Sequence, residues 1–371
     1  MEDFVEAYGN GVLHEALKNK LDLLFTSFQK VLYEEDDIFL KGMATKNLAG
    51  DDVNKYRFWE WTQGVGLFGM WKMFERTKDK KYLDVLIAYY ERQFGIGFPA
   101  KNVNTTAPML TLAYVYEYTK NEKYKELCLG WCEWLMNGLP KTKEGGFQHM
   151  TSDTLNDQEL WDDTLFMAVL FLAKCGVIFG KTEWVEEAKY QFLLHIKYLS
   201  DKETGLWFHG WTFNGRHNFA KALWGRGNSW ATAAVPEFLS IIDCEPCVKR
   251  FLVENLKNQV ASLKKFQDPT GMWHTLVDDP TSYVETSATC GFAYGILKGV
   301  HDGLIGKEYE ECAIKALKPV LSYINDEGIV NQVSYGTAMG RETKQFYKEI
   351  EIRPMPYGQA MAILFLLEAL Q

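Results

Sequence analysis

The sequence predicts an all-α protein, a single (α/α)6 barrel of six helical hairpins with short extended loops on one rim. Three observations predict it: helical periodicity along nearly the whole chain, an alternation of apolar with amphipathic helices, and a turn motif that recurs between hairpins. The periodicity pairs helices at 64–77 with 79–95, 105–119 with 122–137, 158–178 with 182–199, 228–243 with 246–266 and 284–300 with 307–324. The sixth hairpin joins 357–370 to the N-terminal segment 11–34, which closes the ring.

The first member of each pair is apolar on all sides and rich in small residues, as in Gly64-Val-Gly-Leu-Phe-Gly, Ala231-Thr-Ala-Ala-Val and Gly358-Gln-Ala-Met-Ala-Ile-Leu. A helix of that kind is enclosed by protein. The second members carry one apolar stripe beside Lys and Glu, as in Glu186-Glu-Ala-Lys-Tyr-Gln-Phe-Leu-Leu-His, and face solvent on one side. The recurrent turn reads Glu144-Gly-Gly-Phe-Gln-His149, Glu203-Thr-Gly-Leu-Trp-Phe-His209, Asp268-Pro-Thr-Gly-Met-Trp-His274 and Asp326-Glu-Gly-Ile-Val-Asn-Gln332. Each predicts a tight turn at glycine running into a short extended piece. The length would suit two or three domains, but the uninterrupted repeat assigns residues 1–371 to one.

Composition narrows the function. A net charge of −9 excludes nucleic acid and anionic membrane as bulk partners, so an acidic ligand needs a local basic pocket. The longest apolar run, Leu165–Ala173, falls short of the roughly twenty residues that span a bilayer. The acidic start Met1-Glu2-Asp3-Phe4 is unlike a secretory signal, and seven scattered cysteines (128, 132, 175, 244, 247, 290, 312) suit reduced thiols; both point to the cytosol. Twelve tryptophans offer flat amphipathic surface of the kind sugar clefts use.

In such a barrel the turns and the inner-helix N-termini share one rim, so polar residues there converge on one pocket. Asp162 and Asp163 lie at the mouth of the most apolar inner helix, beside Trp161 and Phe166. Capping of the helix accounts for one acid more readily than for two. An aspartate with an ordinary pKa of about 3.9 costs about 4 kcal/mol to protonate at pH 7. Apolar neighbours and a second carboxylate work against that cost and favour a proton donor. In Trp224-Gly-Arg-Gly-Asn-Ser-Trp230, glycines flank an Arg226 whose planar fork suits a carboxylate, and Trp224 and Trp230 supply walls for a sugar ring. Pairing of Arg226 with a nearby acid is the alternative. His149 and His209 end two of the turns and point to the rim. The histidines lack zinc-ligand spacing, and no Walker loop, dinucleotide fingerprint or Gly-x-Ser-x-Gly elbow occurs, so no metal or cofactor is expected. Cys244-Glu-Pro-Cys247 is an isolated C-x-x-C in a helix-to-helix turn.

The motifs Trp161-Asp-Asp-Thr-Leu-Phe-Met-Ala168, Trp224-Gly-Arg-Gly-Asn-Ser-Trp230, Gly146-Phe-Gln-His149, Phe208-His-Gly-Trp211 and Tyr283-Val-Glu-Thr-Ser-Ala288 resemble, in order, those of the unsaturated rhamnogalacturonyl hydrolases, glycoside hydrolase family 105. The resemblance implies an (α/α)6 barrel whose substrate is a small anionic unsaturated oligosaccharide left by polysaccharide lyases. It implies that an aspartate protonates C4 of the C4=C5 enol ether, water adds at C5, and the hemiketal collapses to release the neighbouring sugar. By position before Thr-Leu-Phe-Met that aspartate is Asp163, although helical periodicity alone does not separate it from Asp162. The implied substrate-binding set is Arg226, Trp224, Trp230, His209, His149, Trp211, Asn104 and Trp61. Where relatives, including unsaturated glucuronyl hydrolases, place a second Asp, this chain has Asn104 in Asn102-Val-Asn-Thr-Thr106, which accepts no proton. Four alternatives stand beside this hydrolase: an unsaturated glucuronyl hydrolase acting on other lyase products, an epimerase using paired histidines among His149, His209 and His274, a non-catalytic sugar-binding barrel, and an inverting glycosidase with Glu60 or Glu285 as second carboxylate.

Overall fold

The computed structural model describes residues 12–34, 41 and 47–371. Residues 12–34 of the expected N-terminal helix fall within the described residues, and position 11 outside them. The hairpins are α1 (Val12–Val31), α2 (Trp61–Thr77) with α3 (Lys80–Ile96), α4 (Val103–Thr119) with α5 (Glu122–Asn137), and α6 (Leu170–Ile178) with α7 (Thr182–Leu199). They continue with α8 (Gly225–Ile241) and α9 (Pro246–Phe266), then α10 (Thr286–His301) with an outer partner in two pieces, α11 (Glu310–Lys315) and α12 (Leu317–Tyr323). A four-residue helix α13 (Gln345–Lys348) precedes α14 (Pro356–Glu368), which packs on α1 as the sixth hairpin.

Each inner helix packs on the next, α2 on α4, α4 on α6, α6 on α8, α8 on α10 and α10 on α14, and α14 returns to α2. The ring is an (α/α)6 barrel. Small residues in the inner helices permit this closeness: a Cβ at Gly64 of α2 would lie 2.7 Å from the Ala107 carbonyl carbon of α4. The four turn glycines, Gly145, Gly205, Gly271 and Gly328, all adopt positive φ, between 73° and 93°. All four turns close with a reciprocal pair of backbone bonds, for example Gly271 N–H to Asp268 O and Asp268 N–H to Met272 O, the turn at Gly205 being one residue longer. The extended pieces after them form isolated bridges such as Ser200 with Trp207 and Ile324 with Val330.

Two helix boundaries differ from expectation. The helix expected over 158–178 is preceded by a strand, β1 (Glu159–Trp161), antiparallel to β2 (Gly210–Thr212). Cross-strand pairing outcompetes helix there, and the helix begins with a π-helical turn, Leu165–Val169, in which Leu170 N–H reaches Leu165 O. The helix expected over 307–324 starts as a 3-10 turn, Lys307–Tyr309, and breaks at Ala316. All seven cysteines are free; Cys247 is exposed and the others are buried. Among the described residues no helix is long and apolar enough to cross a membrane.

Candidate active site

A cavity of about 470 Å³ opens at the end of the barrel where the inner helices begin. Trp61, the first residue of α2, Asn104 in the first turn of α4, Asp163 ahead of α6, Trp224 and Arg226 at the start of α8, and Tyr357 at the start of α14 all line it. Residues far apart in sequence meet there because each follows an inter-hairpin loop on the same rim. Trp230 and His149 complete the expected set that reaches the cavity.

The strand pair separates the two aspartates. Along β1 and its continuation, successive side chains alternate: Trp161 and Asp163 line the cavity, whereas Asp162 has no exposed surface. The carboxyl of Asp162 rests against Gly227, and neither oxygen has a hydrogen-bond partner of normal geometry. Burial, reinforced by the neighbouring Asp163 charge, pushes its pKa well above the ordinary carboxyl range, with nearby backbone N–H groups and Arg226 opposing only in part. Asp162 is therefore a buried acid whose protonated form the fold favours, and Asp163 is the member of the pair that faces the cavity.

His149 lies flat on Trp161, with ring centroids 4.4 Å apart and planes 9° apart. Its Nδ1 is 2.8 Å from Thr164 Oγ1 and 3.5 Å from Asp163 Oδ1. Burial lowers its pKa, and the charges of Asp163, Glu159 and Asp153 only partly restore it, so the ring is neutral and steers the Asp163 carboxyl by contact. Trp61 stacks on Tyr357 at 4.7 Å and meets Trp230 edge-on at 6.3 Å. With Trp161 and Trp224 these rings form the apolar walls.

Arg226 does not present a free fork. Its guanidinium, 1% exposed, lies between Trp224 and Tyr357. Nη1 donates to Ser334 Oγ (2.6 Å) and Ser334 O (3.2 Å), Nη2 donates to Thr337 Oγ1 (2.8 Å) and Tyr335 O (3.2 Å), and Glu285 lies 3.7 Å away. The pairing alternative thus describes much of its bonding, while its charge still forms part of the cavity wall. The loop it gathers places Tyr335, Gly336, Thr337 and Ala338 on the cavity. This loop was not anticipated; its only signal is the small-residue run Ser334-Tyr-Gly-Thr-Ala, which has no periodicity to place it.

Two expected ligand residues stand elsewhere. Trp211 points to the opposite face of the strand pair, stacked on Tyr198 at 4.9 Å, because it alternates with Gly210, the partner of Trp161. His209 lies behind the wall, its Nδ1 2.7 Å from Tyr347 Oη. His274 is held between Ser282 O and Asp268, so paired histidines do not face one another across the cavity as an epimerase requires. Glu285 caps α10 and binds Ser287 and Ser334 N–H, whereas Glu60 caps α2, accepts from Ser152 and borders the cavity.

Comparison with known proteins agrees with this architecture. Residues 38–371 match the model of Glycosyl Hydrolase Family 88. The unsaturated rhamnogalacturonyl hydrolase YesR of Bacillus subtilis (strain 168) is 29% identical over 315 residues, 84% of this chain and 90% of that protein. A crystal structure of a possible member of family GH105 from Salmonella enterica serovar Paratyphi A is 46% identical, covers 94% of this chain and 93% of its own, and superposes with a TM-score of 0.88. The unsaturated glucuronyl hydrolase of Bacillus sp. GL1, 16% identical over 95% of this chain and 96% of its own with a TM-score of 0.68, shares the fold.

Proposed function

Because this chain belongs to Glycosyl Hydrolase Family 88, and is thus a glycoside hydrolase, we propose that it hydrolyses oligosaccharides whose non-reducing uronate carries a C4=C5 double bond, with unsaturated rhamnogalacturonyl substrates first. In this reading Asp163 is the acid. It gives its proton to C4 of the enol ether, the developing positive charge at C5 takes a water oxygen, and the carboxylate recovers a proton from that water. The hemiketal then collapses and releases the neighbouring sugar. One carboxyl thus serves as acid and then base, and Asn104 need only hydrogen-bond a hydroxyl.

The observation that carries this reading is Asp163 in one cavity with four tryptophans and the Arg226 charge. Sugar rings stack on the former, and an anionic ligand is drawn by the latter even though Glu285 offsets part of it. His149, Trp61, Trp224 and Trp230 are the substrate contacts of this reading, and residues 1–371 act as one catalytic barrel. The unpaired cysteines fit a reducing compartment, so a cytosolic setting belongs to the same proposal.

The test is a panel of lyase-generated unsaturated disaccharides, galacturonyl-rhamnose and glucuronyl types side by side, followed by loss of the enol-ether ultraviolet absorbance. Bleaching of the galacturonyl-rhamnose member, lowered by roughly 10²–10⁴-fold in Asp163→Asn, is expected. Preference for the glucuronyl member moves the substrate assignment, and no bleaching of any member overturns the reading.

A further inference from the structure

Behind the cavity wall runs a buried chain of polar side chains that the reaction above does not use. The β1–β2 ladder continues one step beyond the strands: Asp162 N–H donates to His209 O at 3.1 Å, so Asp162 and His209 are cross-strand neighbours. Directly opposed residues keep their Cβ atoms about 5 Å apart on one face. Asp162 is 0% and His209 2% exposed, and His209 Nε2 and both Asp162 carboxyl oxygens lack hydrogen-bond partners.

The other side of the imidazole is held. Tyr347 Oη accepts from Gly340 N–H at 3.0 Å, which leaves its own proton to give. His209 Nδ1 lies 2.7 Å from that oxygen and is a nearer and stronger acceptor for the hydroxyl proton than Met339 Sδ at 3.9 Å. A neutral imidazole that accepts at Nδ1 carries its hydrogen on Nε2. Burial, with the neighbouring His149 and Arg226, holds His209 well below its ordinary pKa and so in the neutral form. The ring touches both back-wall tryptophans, Trp224 at 4.3 Å and Trp161 edge-on at 5.1 Å.

We propose that Tyr347 is a positioning residue of this enzyme: its hydroxyl locks His209 as the Nε2–H tautomer, and the ring so fixed holds Trp161 and Trp224 in place as the back wall. The inference rests on the reading that a sugar binds in this cavity. Tyr347 also packs on Trp224 at 6.1 Å, which a phenyl ring preserves, so Tyr347→Phe separates the hydroxyl from mere filling of space.

Nitrogen-15 NMR of histidine-labelled protein at pH 7 reads the tautomer directly. Wild type is expected to show His209 as neutral Nε2–H, and Tyr347→Phe to show a mixture. In the variant KM for the unsaturated disaccharide should rise at least fivefold while kcat changes less than threefold, since wall contacts act on bound substrate and transition state alike. An Nδ1–H tautomer in wild type overturns the proposal, whatever the substrate and whether or not the variant folds. So does a variant that keeps the pure Nε2–H signal, or one that loses it with KM unchanged. A wild type inactive on every disaccharide counts against the substrate assignment, and the tautomer spectrum then decides the Tyr347 lock by itself.

Discussion

Replacing Gly227 by alanine should reverse the usual benefit of removing a helix glycine. In an exposed helix that change stabilises by about 1 kcal/mol. Gly227 is the third residue of α8, and a Cβ there would lie 2.7 Å from Asp162 Cγ and closer still to Oδ2. Non-bonded carbon contacts favour about 3.5–4.0 Å, so the carboxyl must retreat by about 1 Å. Asp162 has no exposed surface to retreat into. Overpacking of this kind costs about 1–3 kcal/mol, centred near 2, and after the helix gain a net loss of about 1 kcal/mol, at most about 2, remains. With roughly 2 cal/mol/K of unfolding entropy per residue, the melting temperature should fall by about 1–3 °C, and urea unfolding should give the free energy itself. In an Asp162→Ala background the obstructing atoms are gone, so the same glycine substitution should cost nothing or stabilise. A Gly227→Ala protein as stable as wild type, or an equal cost in both backgrounds, would refute the claim that this glycine exists to house the Asp162 carboxyl.

Further outcomes follow from the same contacts. Because the folded pKa of Asp162 is raised, the native state holds a proton that the unfolded chain releases above about pH 4. Wild-type stability therefore falls as pH rises from that value toward the raised folded-state pKa, and Asp162→Asn should gain on it by up to about 1.4 kcal/mol per pH unit in urea titrations carried upward from about pH 4. A pH-independent difference would show that Asp162 is charged in the fold. At the opposite end of the barrel, Lys72 Nζ lies 3.1 Å from Glu237, which is fully buried and also bonded by Tyr294. Lys72→Met strands that carboxylate and should cost about 3–5 kcal/mol by chemical denaturation, much of it recovered by adding Glu237→Gln. Arg226→Lys exchanges a fork for a point charge, so the 334–337 loop should exchange amide hydrogens faster and kcat/KM should drop by at least tenfold. An unchanged exchange rate would mean that other contacts hold the loop.

Much of the architecture was legible because the barrel is written in local chemistry. Apolar-all-round helices such as Leu165–Ala173 have nowhere to go but the inside, and the glycines of the recurrent turns sit at positive φ as the motif requires. The clustering of Asp163, Arg226, Trp224 and Trp230 follows from placing inner-helix N-termini on one rim, and Trp61 joins them through the family resemblance. Three features were not legible. The strand at Glu159–Trp161 has helix-compatible residues and becomes a strand only because Gly210–Thr212 lies beside it. The loop at 334–337 has no periodicity, so its closeness to Arg226 exists only in the fold. The turn motif draws His209 to the rim and the family resemblance draws Trp211 there, but in the fold Trp211 stacks on Tyr198 on the other face of the strand pair and His209 sits beside the Tyr347 hydroxyl behind the wall.

The helices, their inside and outside faces, the turns and the chemical character of the rim are all readable from the order of residues, since propensity, patterning and glycine geometry act over short stretches of chain. The physical separation of the two adjacent aspartates comes from the fold, which turns Asp163 to the cavity and Asp162 away from it. The two differ only in the side of a strand each occupies, and that side is set by a partner strand some fifty residues away.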